Sequence, residues 1–192
     1  MEQNRKSIAV IDVETTLMNT LMSVGVAIAD KESFEYKSGF YGIIVPEQIG
    51  IYSDVLYNFR VDNSKFSLKE LDRTRCLAQV KALLKENDVE YILGYNSNFD
   101  YRCLPELQDY KWIDIAKVAA YKTYNKQIPP EREASKSGRI KKWSMEAVMR
   151  DVVGGDYTEL HNAFQDAYDE LSLVREIKQP ISLYERVALL KK

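Results

Sequence analysis

The stretch Ser7–Thr16, SIAVIDVETT, sets a nearly continuous apolar run directly against two acids. A run such as Ser7–Val13 suits a central strand buried on both faces, as in sheets covered by helices on each side. Side chains alternate along a strand, so Asp12 and Glu14 share one face, about 6.5–7 Å apart, while Val13 takes the other. Two acids placed so at the end of a buried strand repel each other and are costly to desolvate, a cost that a bound cation removes. The alternative is that Asp12 begins a polar turn and Glu14 is solvated.

Working outward, LMSVGVAIAD (Leu21–Asp30) and SGFYGIIV (Ser38–Val45) predict two more strands, with the charged turn DKESFEYK between them. Three strands on short links make an antiparallel meander. Pro46 ends the third, and a less regular segment runs through RVDNSKF. Ser67-Leu-Lys-Glu70 has the pattern of a capping box and predicts a helix to about Lys85. VEYILGY (Val89–Tyr95) is the next strand. DYRCLPELQ starts a helix that Pro105 perturbs, and KWIDIA is a short strand entering another helix. Residues 125–142, NKQIPPEREASKSGRIKK, are proline-containing, charged and aperiodic, and predict a loop. Helices are expected over Ser144–Val152 and, after a Gly-Gly turn, over Asn162–Ile177. Pro180 then precedes Ser182-Leu-Tyr-Glu185, a second capping pattern. It opens a terminal helix over about 182–191, packed on the core or on a partner.

The fold class expected is therefore α/β: a five-stranded mixed sheet, with an antiparallel three-strand meander plus two parallel strands, flanked by helices. Helical crossovers make the later strands parallel to the first. A chain of 192 residues, 45% of them hydrophobic, fits one domain over 1–192. No run approaches the ~20 apolar residues of a membrane span. The polar start MEQNRKS and the interruption at Asp12 make a poor signal peptide. Cys76 and Cys103 are isolated, as in a reduced, cytoplasmic protein.

Three further residues bear on chemistry. Asp100 follows the strand Val89–Tyr95 after a short turn; that strand belongs beside the first, so its carboxyl end opens on the same crevice. It would serve equally as a helix N-cap. Asp166 lies on the rim of the helical stripe Ala163, Ala167, Leu171 and Val174. His161 is the only histidine in the chain. It sits at or just before that helix's start, where the helix dipole favours neutral imidazole; a structural role is the alternative.

The ordered set Asp-x-Glu, a distant Asp, then His-x-x-x-x-Asp resembles the DEDD superfamily of 3′–5′ exonucleases, specifically its histidine-bearing, DnaQ-like branch. The matching stretches are AVIDVETT (Ala9–Thr16), LGYNSNFD (Leu93–Asp100) and HNAFQDA (His161–Ala167), with WIDIAKVA (Trp112–Ala119) also similar. Leu17 stands where the family usually has glycine, and Tyr95 where it often has histidine. The resemblance implies a ribonuclease-H-like fold. It implies that Asp12, Glu14, Asp100 and Asp166 hold two divalent ions, and that His161 activates water. Asp12 would bridge both ions, Glu14 and Asp166 would complete one site, and Asp100 would hold the other. It also implies that Thr15, Thr16, Leu17, Met18, Asn96 and Phe99 contact the terminal nucleotide, although core packing would equally account for Leu17, Met18 and Phe99.

Hard oxygen ligands select Mg²⁺ or Mn²⁺, and the lack of a second histidine or a cysteine cluster argues against zinc. The net charge of −2 does not advertise nucleic-acid binding, but setting aside four of the 29 acids leaves 25 against 27 bases. The basic run Lys136–Lys142 would grip a phosphate backbone or simply be a solvated loop. The expected activity is hydrolysis of phosphodiester bonds at the 3′ ends of single-stranded DNA or RNA, releasing nucleoside 5′-monophosphates. Two other readings are a non-catalytic nucleic-acid or polymerase-binding module, and a nuclease recycling tiny oligonucleotides.

Overall fold

A computed structural model describes residues 6–46 and 53–190; the first residues of the MEQNRKS stretch, the start of the segment after Pro46 and the last two residues lie outside them. The first strand, β1, spans Ser7–Thr15, followed by β2 (Leu21–Asp30) and β3 (Tyr36–Ile44). They form the expected antiparallel meander, with Asp12 opposite Gly25 and Val26 opposite Phe40.

The next element departs from expectation. Phe66–Leu71 is a strand, β4, paired in parallel with β3, so the sheet has six strands and not five. The capping pattern at Ser67–Glu70 caps nothing. The helix α1 (Arg73–Glu86) starts later, and Asp72 caps it by accepting from Arg75 N at 3.0 Å. The open edge of β3 supplies a row of backbone partners, and that tertiary pairing overrides the local helix signal. β4 keeps most of its side chains exposed, as an edge strand can, so it lacks the buried alternation that marks a strand in sequence.

The remaining elements are β5 (Val89–Gly94), α2 (Asn98–Cys103), β6 (Lys111–Asp114), α3 (Ala116–Ala119), α4 (Met145–Val152), α5 (Ala163–Ile177) and α6 (Ile181–Ala188). Both β5 and β6 run parallel to β1, in the order β4-β3-β2-β1-β5-β6. α6 starts at Ile181 with Pro180 at its cap position and no side-chain cap, so the second capping pattern also fails. It ends at Ala188, short of the expected boundary. It buries Ile181, Leu183, Tyr184 and Ala188 against the core, and the following residues pair with the β6 edge, Leu190 N donating to Trp112 O at 2.8 Å. The loop over 125–142 doubles back on itself through bridges Tyr121–Arg139 and Ala134–Ile140. No helix among the described residues is long and apolar enough to cross a membrane.

Each face of the sheet has its own core. Ala9, Ile11 and Val13 point toward α1, while Ile8 and Val10 point toward α5. By alternation Asp12 and Glu14 extend the α5-facing row. α5 reaches that face closely because of Gly25. A Cβ built there would lie 2.0 Å from Ala163 O and 2.3 Å from Phe164 N. The start of α5 therefore lies on the β2 backbone, beside Asp12. Replacement Gly25→Ala is expected to cost about 1–3 kcal/mol by overpacking, and to lower any divalent-cation affinity by lifting α5. Urea unfolding and Mn²⁺ titration of the variant check both.

Candidate active site

Four acids converge at the carboxyl ends of β1 and β5. Glu14 and Asp100 are buried, as is Asp166; Asp12 keeps a partly exposed surface. Asp100 lies in the first turn of α2, and its Oδ1 accepts from Val13 N at 3.2 Å. That bond ties the third acid to the backbone between the first two. Asp166 Oδ2 accepts from Asn162 N at 2.9 Å, while its Oδ1 is buried with no hydrogen-bond partner. His161 Nδ1 lies 3.9 Å from Glu14 Oε1. Ligand-capable atoms of Glu14, His161 and Asp166 all fall within 4.8 Å of one another.

The α5 N-terminus is built to hold His161. Asn162 caps the helix by accepting from Gln165 N at 3.1 Å, and its Nδ2 donates to the carbonyls of Val55 and Leu56, 3.0 Å each. His161 itself takes φ 55°, the left-handed region that β-branched residues resist. The preceding loop is pinned from outside. Arg60 Nη2 donates to Thr158 O at 2.6 Å, and its guanidinium lies 5.5 Å over Tyr157. Tyr157 Oη in turn donates to Asp169 Oδ2 at 2.9 Å.

Electrostatics sets this cluster apart from an ordinary polar surface. Burial pushes Glu14 up to about 8, with help from the charges of Glu159 and Asp100. Burial likewise pushes Asp166 up to about 8, with Glu159 and Glu14 adding to it. Asp100 rises to about 7, chiefly by burial; the Val13 N–H restrains the rise. Asp12 is held well above the usual carboxylate range by desolvation, then by Asp100, Glu170, Asp166 and Glu14. Without a counter-ion the cluster must hold protons or repel itself. The donors are hard oxygens, and one buried Asp166 oxygen has no protein partner. That set fits a divalent cation of the Mg²⁺ or Mn²⁺ kind.

Several functional groups escaped the sequence reading. Glu170, one turn after Asp166, is buried, and its Oε2 accepts from Tyr95 N at 3.0 Å. Asp114 ends β6, is also buried, and its Oδ1 accepts from Asn96 N at 3.0 Å. Two carboxylates thus clamp consecutive backbone N–H groups of the turn that leads to Asp100. The i, i+4 spacing of Asp166 and Glu170 on one helix face was the available signal. Glu159 contributes charge beside Glu14 and Asp166, but it sits in an aperiodic loop that carries no such signal.

The candidate substrate contacts lie around the site's mouth. Leu17 is 81% exposed and Met18 85%, and Phe99 is 43% exposed, so none of the three packs in the core. Leu17 and Met18 cap a tight β1–β2 turn, closed by Thr16 N donating to Thr20 O at 2.9 Å and by Thr16 Oγ1 accepting from Met18 N and Thr20 N. Thr15 and Thr16 are half-buried, and Asn96 is exposed with φ 57°. The basic run sits on the loop over 125–142: Arg139 stacks over Trp143 at 5.2 Å, and Lys141 pairs with Glu133 at 2.6 Å.

No protein-family profile matches the chain, and no curated protein matches it. Solved structures do. One is a 3′-exonuclease in 3′-end-specific recognition of a histone mRNA stem-loop, with TM-score 0.60 and 15% identity, covering 98% of this chain and 86% of that one. Another is a full-length 3′-exonuclease, with TM-score 0.58 and 17% identity, covering 96% and 84%. The fold is therefore the mixed α/β, ribonuclease-H-like fold of these exonucleases.

The raised carboxylates imply a pH effect with a definite sign. A group whose pKa is higher folded than unfolded stabilises the fold below its unfolded value, and that contribution is lost as pH rises through the folded value. Metal-free protein should lose thermal stability from about pH 4 to about pH 8, the interval between the ordinary carboxylate values and those of Glu14, Asp100 and Asp166. Mn²⁺ should restore it most at the alkaline end. Replacement Asp12→Asn should raise the metal-free melting temperature at pH 8 and weaken the Mn²⁺ response. Thermal melts across pH, with and without Mn²⁺, measure all of this.

Proposed function

We propose that the chain is a metal-dependent 3′–5′ exonuclease of the histidine-bearing DEDD type, acting on single-stranded 3′ ends of DNA or RNA. The observation that carries this reading is the buried, unpartnered Asp166 Oδ1, set within a cluster of acids and a histidine at the strand ends. The 3′-exonuclease structures of the same fold support it, one of them engaged with an RNA 3′ end.

Asp12, Glu14, Asp100 and Asp166 would hold two Mg²⁺ or Mn²⁺ ions. A pair of such ions, when bound, supplies positive charge to the attacking and departing oxygens of the phosphodiester. The chain's own residues do the rest. His161, half-exposed at the rim, accepts the proton of the attacking water. The ring borders the acid cluster, with Nδ1 3.9 Å from Glu14 Oε1. The water oxygen bonds to phosphorus, the bond to the 3′ oxygen breaks, and the products are a nucleoside 5′-monophosphate and a shortened strand. Leu17 and Met18, held out by the Thr16 turn, offer an apolar edge to the terminal base. Phe99 offers a ring for stacking, and Asn96 a polar contact.

The decisive assay follows 5′-labelled ribo- and deoxyribo-oligomers with Mg²⁺ or Mn²⁺. Stepwise shortening from the 3′ end, abolished by Asp12→Ala and by chelation, is the expected result. Strand binding without any shortening would instead indicate a binding module. Replacement His161→Ala is expected to cut turnover by roughly 10²–10⁴-fold while the Mn²⁺-induced rise in melting temperature persists. Equal turnover of variant and parent would remove His161 from the mechanism.

A further inference from the structure

A groove of about 760 Å³ runs along the β6 edge, between α2 on one side and the end of α6 on the other. That volume lies within the ~300–1,000 Å³ of clefts that hold compact ligands. Its walls carry two half-buried tyrosines, Tyr101 and Tyr110, beside the buried Trp112. Tyr101 meets Trp112 edge-on, with ring centroids 5.9 Å apart and planes at 86°. The tyrosine is thereby fixed in orientation rather than free to rotate away.

The groove's charge is lopsided. Its one acid, Glu185, has Lys31 within 3.8 Å, and its Lys111 is shared with Glu90 at 3.4 Å. Arg186 enters no ion pair among the described residues, while the charge of Lys117 acts on the buried Asp114 and restrains the rise of its carboxyl. The lining thus sets Lys111, Lys117 and Arg186 against Glu185, a local excess of positive charge in a chain of net charge −2.

The groove shares helix α2 with the acid cluster. Asp100 and Tyr101 are consecutive residues of α2, and Asn98, in the groove wall, is two positions before Asp100. Lys117 lies just past the carboxyl end of β6, which points the same way as the ends of β1 and β5. A strand whose 3′ terminus lies at Asp100 needs a path for the nucleotides upstream. Rings for bases and cations for phosphates are the two features that a sequence-tolerant path requires.

We propose that this edge groove holds the upstream part of the single-stranded substrate, so that the protein favours strands several nucleotides long over di- and trinucleotides. The proposal rests on the exonuclease reading for its polarity, and the test separates the two. Binding is measured by fluorescence anisotropy on an Asp12→Asn background with Mg²⁺, using 5′-fluorescein polyuridine and polythymidine of about 12 and about 3 nucleotides. The probes are titrated against the parent, against Lys117→Gln/Arg186→Gln and against Tyr101→Leu. Because Lys117 also acts on Asp114, Arg186→Gln alone, which changes only an exposed charge, is titrated as well and should show about half the change in salt slope; circular dichroism checks every variant.

The expected result is at least about tenfold weaker binding of the longer probe, with the short probe unaffected. The salt dependence of the longer probe, log K against log salt, should become shallower by about 1.4, since each phosphate contact on a single strand contributes about 0.7. Unchanged affinity and slope for the longer probe would overturn the groove as a nucleic-acid path and leave it to a protein segment. Equal loss on both probe lengths would also overturn it. Groove-dependent binding beside a parent that hydrolyses nothing would keep the groove and sink the exonuclease reading; hydrolysis without groove dependence would do the reverse.

Discussion

Helix α5 can deliver an acid to β1 only because no side chain stands between helix and sheet at Gly25. The helix backbone at Ala163 and Phe164 occupies the space a Cβ would need. Gly25 pairs with Asp12 across the β1–β2 ladder, so the closest helix–sheet approach falls beside the first acid of the cluster. Asp166 and Glu170 then follow on the helix at one-turn spacing, toward the same row that begins with Ile8 and Val10. The site is in this sense a continuation of the core: the same stripe of β1 turns from aliphatic to acidic as it nears the strand end.

That continuity makes the acids expensive. Protein interiors tolerate charge only when it is paired, hydrogen-bonded or neutralised. Here backbone N–H groups serve Asp100 and one oxygen of Asp166, but the demand exceeds the supply, and the carboxylates shift upward. The surrounding structure bears this by over-determining the loops. Glu170 and Asp114 fix the turn before Asp100, while Asn162, Arg60 and Tyr157 fix the approach to His161. Such support holds reactive groups in place before any ligand arrives, so less ordering remains when one binds.

The outer surface divides along the same logic. At the mouth, the Thr16 turn holds Leu17 and Met18 in solvent, where apolar side chains have no packing role. At the β6 edge, aromatic rings and an excess of cations line a cleft whose wall includes Tyr101, the residue after Asp100. In the conspicuous basic run of residues 136–142, Lys141 and Arg139 are occupied by Glu133 and Trp143.

The amino-acid sequence by itself determined the meander and the parallel strands after it; the acids and histidine now seen at one end of the sheet stood out only as an ordered set resembling a known family. The strands and helices were legible in it because their signals are local: an apolar run, an alternation of two, a helical stripe. Its failures have one cause. Ser67–Glu70 and Ser182–Glu185 carry a good local helix-start pattern, yet backbone pairing with the β3 edge claimed the first and burial of Ile181 moved the start of α6 ahead of the second. Glu170, Asp114, Arg60 and the role of Gly25 were equally out of reach, since each acts on residues distant in the chain. Only tertiary structure decided those contacts, because a hydrogen bond or a close backbone approach depends on distance in space, and local sequence patterns encode distance along the chain.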